Sequence, residues 1–495
     1  MSATETPFFS PTETPTRTPS PTPTPLVNVV ACPRNVWVFY PYWSSTYNAD
    51  KIPYDKVTHI AHAFVKPYTN GTLQVPSGYL EPLLISSAHA AGVKVIMSLG
   101  GAGDSSPSDD SYYYKGIMAN AASRTALVNN IEDFLRTNQY DGVDIDWEYP
   151  SNSNDRTRLN AFVLELRAKF NTSSDPNGPH WIISGDLSAD QYYGQWWDVA
   201  TLKFSMNYFN LMVYDMFGTW SNMSGHESPL HQSTMTGAGG PSDSTNGEES
   251  LDYYMVTRGV PGSQIQYGMP MYGKRFDTET LYQGCPSGNC GGSVDLAYKN
   301  IEPLVGAGWT RHFDASAQSA YLTSDSAAQV ITYDDPQTIR IKSDYANWTR
   351  GCAGIFSWDL TNDYMTDGSQ PLVEAMWASS NLCNPTSPTV TPVGSATDQE
   401  SKILGAWPLP NPNPSIFRVR LDGAVDSLQL EIYTEAMQVV VSTAAGPFSS
   451  GWQNMAVPAD FLASAPNGVY FYRLISKSGG SDGSVRPKGK LLMLR

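Results

Sequence analysis

The chain has 495 residues, which is more than one hydrophobic core usually serves, so we expect two or more folded units. Its formal net charge of -16 argues against phosphate backbones and anionic membrane surfaces as partners, whereas a neutral polymer is compatible with it. The chain contains 13 Trp and 28 Tyr, and such aromatic residues stack well on flat apolar faces, although ordinary core packing must account for most of them.

The first segment, residues 1–29, is rich in Thr and Pro and is predicted to be an extended linker, because it cannot build a core. A shorter segment of the same kind, residues 384–395, separates a central region at 30–383 from the last hundred residues at 396–495. No apolar run has the length that spans a bilayer, and residues 1–25 lack the apolar core of a secretory leader. We therefore expect a soluble chain without membrane insertion, and no signal peptide is visible.

Short apolar runs alternate with amphipathic stretches through the central region, which predicts alternating strands and helices. The eight candidate strands are residues 35–40, 57–65, 94–99, 142–148, 181–186, 208–214, 265–270 and 354–358, and 124–138 is a clear candidate helix. This order favours an α/β fold of the (β/α)8 TIM barrel type, with a doubly wound open sheet as the main alternative. The long gap at about 277–331 is predicted to be a small α+β insertion.

Three acids occupy alternate positions at the end of the fourth candidate strand: Asp144, Asp146 and Glu148. In an extended strand they share one face, each roughly 6.6 to 7 Å from the next. Like charges this close favour sharing of a proton, which raises the pKa of one carboxyl and leaves a neutral acid near neutral pH. A calcium loop fits less well, because β-branched and aromatic residues interleave the acids. The spacing alone leaves open which acid is catalytic, with two-carboxylate hydrolysis as the default.

The five cysteines predict one short disulfide. Cys285 and Cys290 enclose a turn-forming tetrapeptide, so a local bridge is expected there. Cys32 and Cys383 lie at the two ends of the central region and could staple it, but pairing cannot be read from sequence. Cys352 completes the set. None of the five has zinc-site spacing, and we expect neither a metal nor a cofactor.

The acidic motif at residues 141–148 resembles that of the family 18 glycoside hydrolases, specifically the chitinases. The resemblance extends over residues 33–382 through Ser-Leu-Gly-Gly at 98–101, Met-Val-Tyr-Asp at 212–215 and a tryptophan at 358. It implies that Glu148 is the general acid and later the base, and that Asp146 orients the acetamido group of the substrate. It also implies that the acetamido oxygen attacks the anomeric carbon, while Asp144 shares a proton with Asp146.

Further site residues follow from the same resemblance. Tyr214 is expected to bond the acetamido group as a catalytic residue, Trp358 to form the floor beneath the sugar at the cleavage point, and Trp220 to be a platform on the leaving-group side. The full set of expected substrate-binding residues is Tyr40, Phe64, Trp147, Met212, Asp215, Trp220, Tyr272 and Trp358. Phe64 could equally belong to the barrel core.

Two positions depart from the family pattern. Ala102 follows the Ser-x-Gly-Gly motif where many processive relatives have an aromatic residue, and one tyrosine of the run 112–114 is a candidate replacement. Lys274 stands where the family usually has arginine. It keeps the charge but lacks the planar bidentate guanidinium.

The last hundred residues predict a β-sandwich, because Leu428, Leu430 and Ile432 alternate with polar residues. The segment resembles immunoglobulin-like modules akin to bacterial C-terminal sorting domains, which open with a Pro-Asn-Pro sequence, here at 410–412. Together with the linkers, this resemblance implies a secreted or cell-surface bacterial protein.

The resemblance as a whole implies a monomeric chitinase that cleaves β-1,4 bonds in chitin and N-acetylchitooligosaccharides, with no nucleic acid as partner. Two alternatives remain at this point. One is an endo-β-N-acetylglucosaminidase acting on glycans, which shares the acidic motif. The other is a chitin-binding lectin without hydrolytic activity, but lectins of this fold typically lack the acid at the position of Glu148.

Overall fold

The computed structural model describes residues 34–102, 114–238, 245–286, 288–290 and 292–382 of the central region. In the last part of the chain it describes 403–409, 416–421, 424–433, 439–449, 451–459, 461, 468–478 and 481–493. The chain divides into two compact units, residues 1–383 and 384–495. Both predicted linkers, Cys32, Cys383 and the Pro-Asn-Pro segment lie outside the described residues.

The first unit is built on a closed barrel of parallel strands, which confirms the predicted fold class. Its strands are β1 Asn35–Pro41, β2 His59–Pro67, β3 Leu73–Gln74, β4 Lys94–Gly100, β5 Gly142–Asp146, β6 Ile182–Ser188, β7 Tyr208–Met212, β8 Ile265–Pro270, β9 Tyr272–Phe276, β10 Val294–Ala297, β11 Trp309–Asp314, β12 Ser319–Ser324, β13 Val330–Tyr333 and β14 Gly354–Trp358. The barrel order is β1-β2-β4-β5-β6-β7-β8-β14, and β14 pairs with β1 to close it. All eight predicted strands are therefore barrel strands.

Helices connect the barrel strands and cover their outer face. They are α1 Pro82–Ala90, α2 Tyr114–Ala119, α3 Ala121–Asn138, α4 Ser153–Asn171, α5 Gln191–Gly194, α6 Val199–Leu202, α7 Gly247–Leu251, α8 Tyr298–Ile301, α9 Pro336–Asp344 and α10 Pro371–Ser380. Of these, α8 is the exception, because it lies between β10 and β11. The side chain of Asn120 accepts hydrogen bonds from the backbone amides of the second and third residues of α3, and Asn152 does the same for α4. The predicted helix at 124–138 lies within α3. Among the described residues, no helix combines the length and apolarity needed to cross a membrane.

An insertion follows barrel strand β8 and forms a five-stranded antiparallel sheet in the order β10-β9-β13-β12-β11. It includes the disulfide between Cys285 and Cys290, whose Cα atoms are 5.3 Å apart, as the sequence predicts. Cys352 is a free, buried thiol. The sheet extends beyond the predicted bounds of 277–331, because β9 and β13 pair with each other, with Gly273 opposite Tyr333.

The second unit contains two antiparallel sheets around a shared core. Its strands are β15 Ile403–Leu409, β16 Ile416–Leu421, β17 Ser427–Tyr433, β18 Val439–Ala445, β19 Gly451–Ala456, β20 Gly468–Ser478 and β21 Ser481–Met493. One sheet has the order β15-β16-β19 and the other β18-β17-β20-β21. Val419 and Met455 from the first sheet pack in one buried cluster with Leu428, Leu430 and Ile432 from the second. This arrangement is the predicted β-sandwich.

Candidate active site

The innermost acid of the alternating motif, Asp144, is fully buried and held from both neighbouring strands. Its carboxylate accepts hydrogen bonds from Ser98 Oγ at 2.9 Å on β4, Ser184 Oγ at 2.7 Å on β6 and Asn210 Nδ2 at 3.1 Å on β7. Ser98, Asp144 and Ser184 are register partners across the sheet, so their side chains point to the same, inner face. The barrel interior therefore supplies a fixed polar cradle for Asp144.

A second buried carboxyl, Asp186, lies beside Asp144 and was not singled out by the motifs. Asn210 Nδ2 donates to Asp186 Oδ1 at 2.8 Å as well as to Asp144. Burial and the negative charges of Asp144 and Asp146 raise the pKa of Asp186 well above its usual range. Burial also raises the pKa of Asp144, while hydrogen bonds from Asp186, Ser184 and Ser98 oppose that rise. Asp186 therefore keeps its proton and donates it in a hydrogen bond to Asp144.

The outer acids of the motif, Asp146 and Glu148, line a cavity of about 1060 Å³ at the carboxyl ends of the barrel strands. Tyr214 lines the same cavity. Burial, followed by the charges of Asp186, Glu148, Asp146 and Asp215, raises the pKa of Tyr214 well above its ordinary value. Its hydroxyl consequently remains an O–H donor at any physiological pH.

One side of the cavity is an aromatic wall carried by β14, β1 and β2. The rings of Phe64 and Trp358 stack, with centroids 5.5 Å apart and an interplanar angle of 16°. Trp43, which is half exposed, lies 5.8 Å from Phe64, and Phe39 lies 5.5 Å from Trp358. Phe64 and Trp358 were expected here from the resemblance, whereas Phe39 and Trp43 were not. Flat apolar faces of this kind match the faces of sugar rings.

The opposite side of the cavity is formed by residues that follow β5, β6 and β7. Tyr149 and Tyr193 stack with ring centroids 4.5 Å apart, and Trp220 projects with 64% of its surface exposed. The remaining expected residues that line the cavity are Met212, Asp215 and Tyr272. The two walls leave the outer acids between them.

Lys274 on β9 connects the inserted sheet to the cavity. Its Nζ lies 2.7 Å from Asp215 Oδ1, 2.8 Å from Asp295 Oδ1 and 3.9 Å from Glu227 Oε2. Burial lowers its pKa, but the charges of Glu227 and Asp215 outweigh burial, so the net shift is upward and the ammonium stays charged. The lysine thus has three carboxyl neighbours at the position where the family usually has arginine, and it lies 5.6 Å from the ring centroid of Trp220.

Two expected substrate-binding residues, Tyr40 and Trp147, lie in the core and do not line the cavity. Tyr40 is 1% exposed, and its hydroxyl donates to Glu81 Oε1, because odd positions of β1 face the barrel interior and Tyr40 faces outward. Trp147 is 4% exposed and stacks on Tyr114, with centroids 5.1 Å apart. The same contact places Tyr114 in the core, so it does not replace the aromatic residue missing at Ala102. Residues 112 and 113 lie outside the described part of the chain.

Comparison with known proteins connects this geometry to a family. The family model for glycosyl hydrolases family 18 matches residues 35–363. Chitinase A1 of Niallia circulans is 26% identical over 397 residues, which cover 66% of this chain and 56% of that protein. A probable endochitinase of Caenorhabditis elegans is 30% identical over 273 residues, covering 52% of this chain and 42% of that protein. The chain thus spans about half the length of these relatives.

Solved structures share the barrel at lower identity. A Group IV chitinase of Ostrinia furnacalis superposes with a TM-score of 0.62 at 21% identity, covering 70% of this chain and 99% of that one. A family 18 N-acetylglucosaminidase of Paenibacillus barengoltzii has a TM-score of 0.60 at 23% identity, with the same coverage of both chains. Human YKL-39, described as a pseudo-chitinase with retained chitooligosaccharide binding, has a TM-score of 0.58 at 21% identity, again covering 70% and 99%. These likenesses establish the fold, which carries more than one activity.

The family match covers all eight barrel strands, the insertion and both walls of the cavity, and we conclude that the chain belongs to the glycosyl hydrolases family 18.

Proposed function

We propose that the protein is a chitinase that hydrolyses β-1,4 bonds between N-acetylglucosamine units by substrate-assisted, retaining catalysis. The observation that carries the proposal is the placement of Asp146, Glu148 and Tyr214 in one cavity beside the stacked floor of Trp358. That cavity has room for several sugar units and offers both an acid and an apolar face.

In this proposal Glu148 protonates the glycosidic oxygen as the bond to the leaving sugar breaks. The acetamido oxygen of the sugar on Trp358 attacks the anomeric carbon, and an oxazolinium ion forms. Water opens this ion in the second step, which restores the original configuration at the anomeric carbon. Tyr214 donates its hydroxyl hydrogen to the acetamido group, which holds that oxygen in place for attack. Asp146 stabilises the positive charge of the ion, and Glu148, now ionised, takes a proton from the incoming water.

The buried carboxyls Asp144 and Asp186, the second of which lines the cavity, support Asp146 in its role. Burial raises the pKa of both Asp186 and Asp144, and the rise is large for Asp186, so the protonated form of Asp186 is favoured beside Asp144. The charge near Asp146 is therefore smaller than three carboxylates would give. A lower local negative charge reduces the repulsion that a carboxylate at Asp146 meets while it stabilises the oxazolinium ion.

Glu148→Gln tests the proposal. The amide cannot donate an acidic proton but keeps the shape of the side chain, so we expect hydrolysis of N-acetylchitohexaose to fall by about 1000-fold or more. Binding of the hexamer, measured by calorimetry, should remain within about threefold of the wild-type value, since the aromatic floor is unchanged.

The matched control is Glu165→Gln on helix α4, a glutamate that pairs with Arg124 outside the cavity. It should retain full activity. Hydrolysis by the Glu148→Gln variant at the wild-type rate would refute the assignment of the acid. A wild-type protein that binds the hexamer without cutting it would instead support the lectin alternative, and cleavage restricted to glycoprotein glycans would support the endo-β-N-acetylglucosaminidase.

We also propose where the protein acts. The disulfide between Cys285 and Cys290 supports export, because such bonds persist in oxidising compartments. We propose a secreted or cell-surface bacterial protein that acts as a monomer on chitin and N-acetylchitooligosaccharides. We further propose that the C-terminal β-sandwich is an immunoglobulin-like module akin to bacterial sorting domains, which its two antiparallel sheets support.

A further inference from the structure

The strand order of the barrel places the two aromatic walls of the cavity on opposite sides. Trp358 ends β14, and Phe64 belongs to β2, so the aromatic wall that they form lies at the ends of β14, β1 and β2. Tyr149 follows β5 and Tyr193 follows β6. In the eight-stranded order, β5 lies across the barrel from β14 and β6 lies across from β1. An extended sugar chain that stacks on Trp358 and passes Glu148 therefore continues toward Tyr149 and Tyr193.

The tyrosine pair contacts the proposed acid through Tyr149. The hydroxyl of Tyr149 hydrogen-bonds to the carboxylate of Glu148, and the ring of Tyr193 stacks on Tyr149 at 19°. Both rings line the cavity. The sugar that leaves with the proton from Glu148 would accordingly lie beside these rings.

Hydrogen bonds hold residues 188–194, the segment that includes helix α5 and Tyr193. Asp190 accepts from the backbone amide of Tyr193 at 3.0 Å and from Ser188 Oγ at 3.1 Å. Arg258 donates to the carbonyl of Gly194 at 3.1 Å, and Tyr254 donates to that of Ser188 at 2.7 Å. A ring fixed in this way loses little conformational entropy when a ligand binds to it.

We propose that Tyr193, stacked on Tyr149, is a binding platform for the leaving-group part of the sugar chain. It would supply an aromatic contact on the side where Ala102 provides none. This inference rests on the proposed function, since it requires cleavage of an N-acetylglucosamine polymer at Glu148. Tyr193 is a specificity residue in this account and takes no part in proton transfer.

Two substrates separate leaving-group binding from catalysis. N-acetylchitohexaose has a leaving group of several sugars, whereas the β-fluoride of N,N′-diacetylchitobiose has a leaving group of one atom. Tyr193→Ala should lower kcat/KM about fivefold on the hexamer, the size expected for one lost ring contact, and leave kcat/KM on the fluoride unchanged. Tyr193→Phe keeps the ring and should retain the wild-type value on both substrates.

The neighbouring tyrosine provides the matched control. Tyr192 is 69% exposed, does not line the cavity and meets Tyr193 only edge-on, with ring centroids 4.9 Å apart, so Tyr192→Ala should leave both substrates unaffected. An equal loss on both substrates in Tyr193→Ala would overturn the proposal in favour of a structural role, and an unchanged hexamer rate would overturn it outright. Failure of the proposed function is distinguishable, because the wild-type protein would then cut neither substrate.

Discussion

At the scale of single residues, the buried carboxyl pair of Asp144 and Asp186 determines how the site carries its charge. Asp186 is 1% exposed, and its pKa is raised well above the usual value by burial and by the charges of Asp144 and Asp146. The folded state therefore binds a proton that the unfolded state has lost at neutral pH. Stability consequently falls as pH rises from the unfolded pKa of about 4 toward the folded pKa.

Asp186→Asn should remove this loss of stability. The amide has no proton to lose, and its NH2 group can still donate to Asp144. We expect the melting temperature of the variant to rise relative to that of wild type as the pH increases from 5 to 8. The rise should correspond to about 1 kcal/mol or more in the free energy of unfolding. Asp133→Asn, an exposed acid on α3, is the control and should show no such trend. A difference between variant and wild type that stays constant with pH would contradict the protonated state of Asp186.

Site residues were predictable where one continuous segment of the chain contained the whole pattern. The alternation of Asp144, Asp146 and Glu148 is visible within β5 and the two residues that follow it, and the structure brings the two outer acids together in the cavity with Tyr214. Asp186 was not found, because its partner lies on the neighbouring strand and the register between strands is not encoded locally. The available signal was the alternate placement of two polar residues, Ser184 and Asp186, on β6, together with the polar Asn210 on the next strand. Tyr40 was assigned to the wrong face of β1. Adjacent residues of a strand face opposite sides, and Phe39 lines the cavity instead.

At the scale of elements, the end of β4 packs directly against the end of β5. Gly100 has φ +114°, and a Cβ atom there would lie 2.1 Å from the carbonyl oxygen of Asp146. The amide of Gly101 donates to the same oxygen at 3.0 Å. Only glycine permits this close approach, so the two glycines shape the strand end that positions Asp146.

Gly100→Ala should therefore displace Asp146 and strain the backbone. We expect a loss of stability of about 1 to 3 kcal/mol, and activity on N-acetylchitohexaose should fall at least tenfold in the protein that remains folded. Urea unfolding and initial rates measure the two effects. Gly92→Ala is the control, since it also has positive φ but no atom lies within 4 Å of its added Cβ. Equal activity of the two variants would contradict a positioning role for Gly100.

The elements themselves followed closely from hydrophobic periodicity. Each of the eight candidate strands corresponds to a barrel strand, because parallel strands buried on both faces are continuous apolar runs. The bounds of the insertion did not follow. Residues 272–276 resemble the end of a barrel strand, but β9 leaves the barrel and pairs with β13, which follows more than fifty residues later. Pairing over such a separation depends on tertiary packing rather than on local sequence.

At the scale of the whole molecule, the site belongs to the first of the two compact units. Every residue that lines the cavity lies between Phe39 and Trp358. A protein of residues 1–395 should therefore hydrolyse N-acetylchitohexaose with a kcat/KM within about twofold of the full chain. Comparison on crystalline chitin then reports what the β-sandwich contributes. A loss of activity on the soluble hexamer, in a truncated protein with an unchanged melting temperature, would contradict the assignment of the complete site to the first unit.

The anomeric form of the first products tests the central claim, that the acetamido group of the substrate is the nucleophile. Proton NMR during the first minutes of N-acetylchitohexaose hydrolysis should show new reducing ends in the β form, with the α form appearing only through mutarotation. The fully deacetylated hexamer should not be cut, because it lacks the attacking oxygen. Initial release of the α form, or cleavage of the deacetylated hexamer at a comparable rate, would contradict the account.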